Sequence, residues 1–283
     1  MPDQVSGLRC WVPAAAWLLA PVAGSGVGAG GHHGTVSRYR ERPPVGALST
    51  AIACVWTHGA GALGYLQRVV PDGCVDLIWM GDRLDVVGPD TTARLSALPP
   101  GSRITGIRAK PGAARLLLGD IPPTELRDLQ VDSVDIWGAS MRDVVGRLGD
   151  APDQAGRILE EFACSRLSEY RPDPALTPVV AALDAPAPPT IPALADSVGL
   201  SVRQLRRRVA AAVGYGPQTL AGVLRFQRAT RLGVGSGGLA GLAHASGYAD
   251  QAHFTREFRR LAGVTPRQYF SPLPPARECF GRH

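Results

Sequence analysis

Two stretches, ALADSVGLSVRQLRRRVAAAVGYGP (Ala193–Pro217) and GLAHASGYADQAHFTREFRRLAGVTP (Gly241–Pro266), carry one pattern twice and decide the fold of the carboxyl-terminal third. Ala195 matches Ala243 and Gly199 matches Gly247 at an offset of 48. Leu205 matches Phe254, Arg207 matches Arg256, Val209 matches Phe258, Gly214 matches Gly263 and Pro217 matches Pro266 at an offset of 49. One extra residue in the turn reconciles the two offsets. Each copy reads as a short helix, a turn at Gly and a second, amphipathic helix. A small residue at Ala195 or Ala243 lets the paired helices approach, and Gly199 and Gly247 can supply the left-handed backbone of a tight turn. Leu205 with Val209, and Phe254 with Phe258, sit four apart and must face inward.

The opposite face of each second helix is left for a partner. Copy one offers Arg203, Arg206 and Arg207; copy two offers Gln251, His253, Thr255 and Arg256. These side chains suit the major groove of double-stranded DNA, where Arg bridges guanine O6 and N7, Gln pairs with adenine, and Thr meets a base edge or a thymine methyl. Arg208, Arg259 and Arg260 fit phosphate contacts, which position without reading sequence. The plainer alternative is a pair of helical hairpins with a solvated basic face. Between the copies, TLAGVLRFQRATRL (Thr219–Leu232) keeps helical spacing through Leu220, Val223, Leu224, Ala229 and Leu232. A rigid linking helix there would let one monomer enter two successive major-groove segments roughly 10 base pairs apart, on an asymmetric site.

The charge distribution agrees. From Thr190 to His283 there are 13 Arg against the four acids Asp196, Asp250, Glu257 and Glu278, or +9, which leaves −3 for the first 189 residues of a chain whose formal charge is +6. Basic surface beside a mildly acidic region fits a polyanion partner or a solubilising face. At 283 residues the chain has room for about two domains of roughly 100 to 200 residues each. With 45% hydrophobic residues it can build a packed core.

Cys10, Cys54, Cys74, Cys164 and Cys279 show no CxxC spacing and no neighbouring His, so neither a zinc site nor a disulfide framework is indicated, and a reducing cytoplasm is the expected compartment. No metal and no cofactor is expected. The apolar run Trp11–Gly24 is too short to span a membrane, and Asp3, the single Arg9, Pro13 and Pro21 argue against a secretion signal. Residues 1–34 are expected to be a disordered tail or extension.

From about Val36 to Gly112 short apolar runs, AIACVW (Ala51–Trp56), CVDLIWM (Cys74–Met80), LDVVG and SRITGIRA, are punctuated by Gly, Pro and Asp, which predicts strands joined by tight turns in a sandwich or barrel. Pro71–Gly73 reads as a β-turn. ELRDLQ (Glu125–Gln130), MRDVVGRLG, DQAGRILEEFACSRL and Leu176–Leu183 take helical spacing. The Pro-rich APAPPT (Ala185–Thr190) marks the domain boundary. Asp76 inside an apolar strand needs a partner if buried, either Arg108 or Lys110, the one lysine of the chain.

The tandem motif, the linking helix and GYADQAHFTREFRRLAGVTPRQYF (Gly247–Phe270), closing on Pro266 and Tyr269, resemble the DNA-binding domain of AraC/XylS-type transcription regulators. Val209 departs from the aromatic usual at its place, and Gly233–Gly241 is shorter and less polar than the usual approach to the second motif. VVPDGCVDLIWM (Val69–Met80), VVGP, GIRAKPGAARLLLG and DIWG resemble an uncharacterised β-rich domain found ahead of such modules. The resemblance implies an α+β chain. A β-rich, cupin-like or sandwich domain with trailing helices (35–184) is followed by a linker (185–190), an all-α double helix-turn-helix domain (191–272) and a tail (273–283). It implies base reading by the residues named above, an effector-sensing or dimerising amino-terminal domain, and contact with RNA polymerase. Residues Ser140–Leu183 are the expected homodimer surface. Two other readings stand beside it: an architectural DNA binder without effector, and a fusion to a DNA-repair methyltransferase. The second needs a reactive Cys, and Cys54 and Cys74 lie in apolar strands instead. A metal-dependent cupin enzyme needs clustered ligands, and His32, His33 and His58 form no such set.

Overall fold

The computed structural model describes residues 38–61 and 64–271. The readings of residues 1–34 and of the tail, with Cys10, His32, His33 and Cys279, fall outside the described residues.

Among the described residues, eight strands form the amino-terminal part: β1 (Arg38–Arg42), β2 (Ile52–Gly59), β3 (Tyr65–Val69), β4 (Val75–Trp79), β5 (Leu84–Val87), β6 (Arg94–Leu98), β7 (Arg103–Ala109) and β8 (Gln130–Asp132). Six of them make an open antiparallel sheet in the order β1-β2-β7-β4-β5-β8, and β3 pairs with β6 as a separate two-stranded ribbon. The central strands read as continuous apolar runs because both faces of the sheet are covered. On one face Val55, Val75, Leu77, Trp79 and Ile107 pack against helices α1 (Arg115–Leu118), α2 (Ser133–Trp137), α3 (Ala139–Asp150) and α4 (Ala155–Ser165), through Leu116, Leu117, Met141, Leu148, Ile158 and Leu159. On the other, Cys54, Trp56, Ile78, Val87 and Ile104 meet Leu98 of the ribbon.

That second face also buries His58, Asp76, Asp85 and Arg108. Arg108 is the partner that Asp76 requires: its Nε lies 3.0 and 3.1 Å from the two carboxylate oxygens, and Trp56 Nε1 donates to the same group at 2.8 Å. Lys110 donates instead to the Ser49 carbonyl. Gly106 is required beneath the Trp56 ring, since a Cβ there would stand 2.3 Å from it.

One predicted helix is absent. Over Glu125–Gln130 the chain makes only a 3-10 turn (Pro123–Glu125) and then β8. The cause is local to Asp128, whose backbone sits at φ 60° while its carboxylate accepts from both the amide and the hydroxyl of Thr91. That tie holds the segment outside the helical region and delivers Gln130 to the β5 edge.

The remaining helices are α5 (Leu176–Leu183), α6 (Ile191–Ser197), α7 (Val202–Val213), α8 (Pro217–Leu232), α9 (Gly238–Ala245), α10 (Gln251–Ala262) and α11 (Pro266–Phe270). They share one core, in which Leu220, Val223, Leu224, Phe226 and Ala229 of α8 are enclosed by Leu205, Val209, Leu242, Phe254 and Phe258. Leu176, Val179 and Leu183 of α5 join it from before the Pro-rich stretch, and Val70 joins it from the β-rich part. The apolar side of α5 is therefore already covered within the chain.

Candidate nucleic-acid interface

Each repeat is built by the same local devices. Ser201 accepts from the Gln204 amide while the Gln204 side chain accepts from the Ser201 amide, a reciprocal cap that starts α7. Asp250 starts α10 by accepting from the His253 amide at 2.6 Å, and that bond holds its carboxyl below the usual carboxylate range. Both helices end in a left-handed glycine, Gly214 and Gly263, and Pro217 and Pro266 open the helices that follow. Gly199 and Gly247 take φ of 66° and 83° at the inter-helix turns, and Ala195 and Ala243 are buried at the crossings.

Leu205, Val209, Phe254 and Phe258 are fully buried. Phe258 stacks within 4.8 to 5.5 Å of Phe226, Phe254, Tyr269 and Phe270, an aromatic cluster that copy one lacks at Val209. Over these seams Arg203, Arg206, Arg207 and Arg208 of α7 and Gln251, Arg256, Arg259 and Arg260 of α10 are exposed, while His253 and Thr255 are half-buried. The Thr255 hydroxyl donates to the Gln251 carbonyl. Arg208 is held 3.4 Å from Asp173.

The charge count overstates the basic surface, because part of it is structural. Arg225 lies over the Tyr248 ring and reaches Glu257 at 3.3 Å, tying α8 to α10. Arg228 is buried, donates to the carbonyls of Ser246 and Asp184, and shares the Asp184 carboxylate with Arg231. These roles escaped the sequence reading; the only signal was Glu257, an acid inside an otherwise basic helix. Elsewhere, burial and Asp72 push the Cys74 thiol well above its usual range, the reverse of what a nucleophile needs. Among the described residues no cluster of three or more His, Cys, Asp or Glu could hold a metal ion, and no helix is long and apolar enough to cross a membrane.

Residues 194–271 match the family model described as a helix-turn-helix domain, of the AraC type, and residues 40–132 match a domain of unknown function (DUF6597). No curated protein matches the chain. Among solved structures, the chain is similar to an AraC-type transcriptional regulator from Chromobacterium violaceum at 30% identity, over 34% of this chain and 88% of that one, with a TM-score of 0.32. The carboxyl-terminal domain of AraT, a response regulator from Geobacillus stearothermophilus, matches at 20% identity over 40% of this chain and 98% of that one, with a TM-score of 0.34. ToxT from Vibrio cholerae matches at 13% identity over 83% of this chain and 96% of that one, with a TM-score of 0.40.

Proposed function

Because residues 194–271 belong to the AraC-type helix-turn-helix family of DNA-binding regulators, we propose that this chain reads an asymmetric DNA site with α7 and α10 in successive major-groove segments. The observation that carries this reading is the matched pair of capped helices, each with a buried seam beneath exposed Arg and Gln side chains. Arg203, Arg206, Arg207, Gln251, His253, Thr255 and Arg256 are assigned to bases, and Arg208, Arg259 and Arg260 to phosphates. The β-rich domain is assigned a regulatory role, through a small-molecule effector or pairing with a second copy of the chain, and RNA polymerase is assigned as a further partner of the chain, in the cytoplasm.

Footprinting the full chain on promoter fragments tests the reading. The expected result is one protected region with two major-groove contacts about one turn apart, and an affinity that falls steeply with salt. Sequence-blind binding of equal strength to every fragment would instead make the protein architectural.

A further inference from the structure

The β-rich domain touches the helical domain at the same point of both repeats. Gly214 and Gly263, the matched left-handed caps, close the two proposed recognition helices. At the end of α7, a Cβ on Gly214 would stand 2.5 Å from Pro89 Cγ and 3.0 Å from the Pro123 carbonyl oxygen, so backbone and proline are in close apposition. At the end of α10, the Ala93 amide donates to the Leu261 carbonyl at 2.8 Å, and Arg68 Nη1 on β3 donates to the Ala262 carbonyl at 2.9 Å. These carbonyls belong to the last turn of α10, where a helix leaves its acceptors unpaired and its dipole favours a cation. Between the two ends, Gln227 of α8 donates to the Pro71 carbonyl.

Pro89 and Ala93 are four residues apart on the β5–β6 connection. One short piece of chain therefore spans from the end of one recognition helix to the end of the other, a reach of at most about 14 Å. It is not a loose loop. Gly88 donates to the Leu129 carbonyl, the Asp128 amide donates to the Pro89 carbonyl, Asp128 accepts from the Thr91 amide and hydroxyl, and Asp90 pairs with Arg94 at 3.2 Å.

We propose that the β-rich domain sets the separation of the two recognition helices, with Pro89–Ala93 as the strut and Arg68 as the positioning residue for α10. The inference rests on the two-segment reading of DNA given above and adds the part that fixes its geometry. A linking helix alone fixes one line between the repeats; the strut adds a second, from a domain that touches no base. The spacing between the two DNA segments then becomes a property of the β-rich domain, and any ligand that shifts that domain changes which spacing is accepted.

The test uses the full chain on duplexes in which the two half-segments are moved apart or together one base pair at a time. The wild-type protein is expected to prefer one spacing over its neighbours by about tenfold. Arg68→Ala and Asp128→Ala are expected to bind the best spacing within about threefold of wild type while their preference among spacings drops to about threefold or less. Thermal unfolding of both variants accompanies the binding. A spacing profile unchanged in both variants, or an equal loss at every spacing, overturns the strut. A wild-type protein that needs only one half-segment overturns the two-segment reading itself, and the strut with it.

Discussion

Arg108 Nε and the Asp76 carboxylate meet at 3.0 Å inside the sheet, with side-chain exposures of 4% and 8%. Asp72 reaches Arg108 Nη1 at 3.2 Å from the turn that faces α8. Burial pulls the Asp76 carboxyl upward and Arg108 opposes it, so the pair is held together by the cost of separating it. Asp76→Asn keeps an acceptor for Trp56 but removes the charge, leaving Arg108 its ion pair with Asp72. The expected loss is about 3 kcal/mol in urea unfolding, the low end of the range for a broken buried pair. Replacing both partners by apolar residues should recover part of that loss. A single variant within about 0.5 kcal/mol of wild type would show that Asp72 suffices as counter-ion.

Base and phosphate roles separate in the binding data. Arg207→Ala and Arg256→Ala should each cost about 1 to 3 kcal/mol at one base-pair position and relax the preference there. Arg259→Ala and Arg260→Ala should weaken all sequences alike and lower the salt slope by about 1 each. Affinity across single-base variants of the site at several salt concentrations distinguishes the two classes. An unchanged base preference after Arg207→Ala and Arg256→Ala would remove both from the reading set.

The repeat was legible because its information is periodic and local. Leu205 with Val209, Phe254 with Phe258, and the glycines at 199, 214, 247 and 263 announce helices, turns and stops within a few residues of themselves. The β-rich domain was legible as strands, and Asp76 announced its need of a partner by its chemistry. What composition and spacing could not carry was contact between distant segments. Glu125–Gln130 has helical spacing, yet Asp128 is tied to Thr91, 37 positions away. Arg225 and Arg228 count as basic surface in the sequence and are braces in the fold. Nothing near Arg68 in sequence points to the end of α10.

Acid titration should reveal groups that oppose one another, His58 and Asp90 among them. Burial lowers the His58 pKa to about 4, so its contribution to stability is complete above the ordinary histidine value of 6.5 and is lost as pH falls towards 4. Burial raises the Asp90 pKa to about 6 against the pull of Arg94. The folded state therefore takes up that proton more readily, and stability from this group grows as pH falls from 6 towards 3.8. Asp90→Asn removes one of the buried carboxyls, with Glu41 and Asp76, that oppose the His58 effect. Its unfolding free energy should fall more steeply than wild type between pH 6 and 4, as measured by denaturant titration at fixed ionic strength. A slope equal to or shallower than wild type would mean that the Asp90 carboxyl is ionised throughout, with Arg94 outweighing burial.

Two glycines with the same kind of backbone separate the cost of conformation from the cost of contact. Gly199 sits at φ 66° and a Cβ there would meet nothing within 4 Å, whereas Gly214 sits at φ 96° against Pro89 and Pro123. Gly199→Ala should cost about 1 to 2 kcal/mol, the penalty of a left-handed L-residue. Gly214→Ala bears that cost and must also displace Pro89, which adds about 1 to 3 kcal/mol if the strut resists. Urea unfolding of the full chain compares them directly. The difference measures how firmly Pro89 and the Pro123 carbonyl are held, because they supply the nearest atoms to the added methyl. Equal losses would mean that both Pro89 and Pro123 yield freely, and a segment that yields freely cannot hold two recognition helices at a set distance.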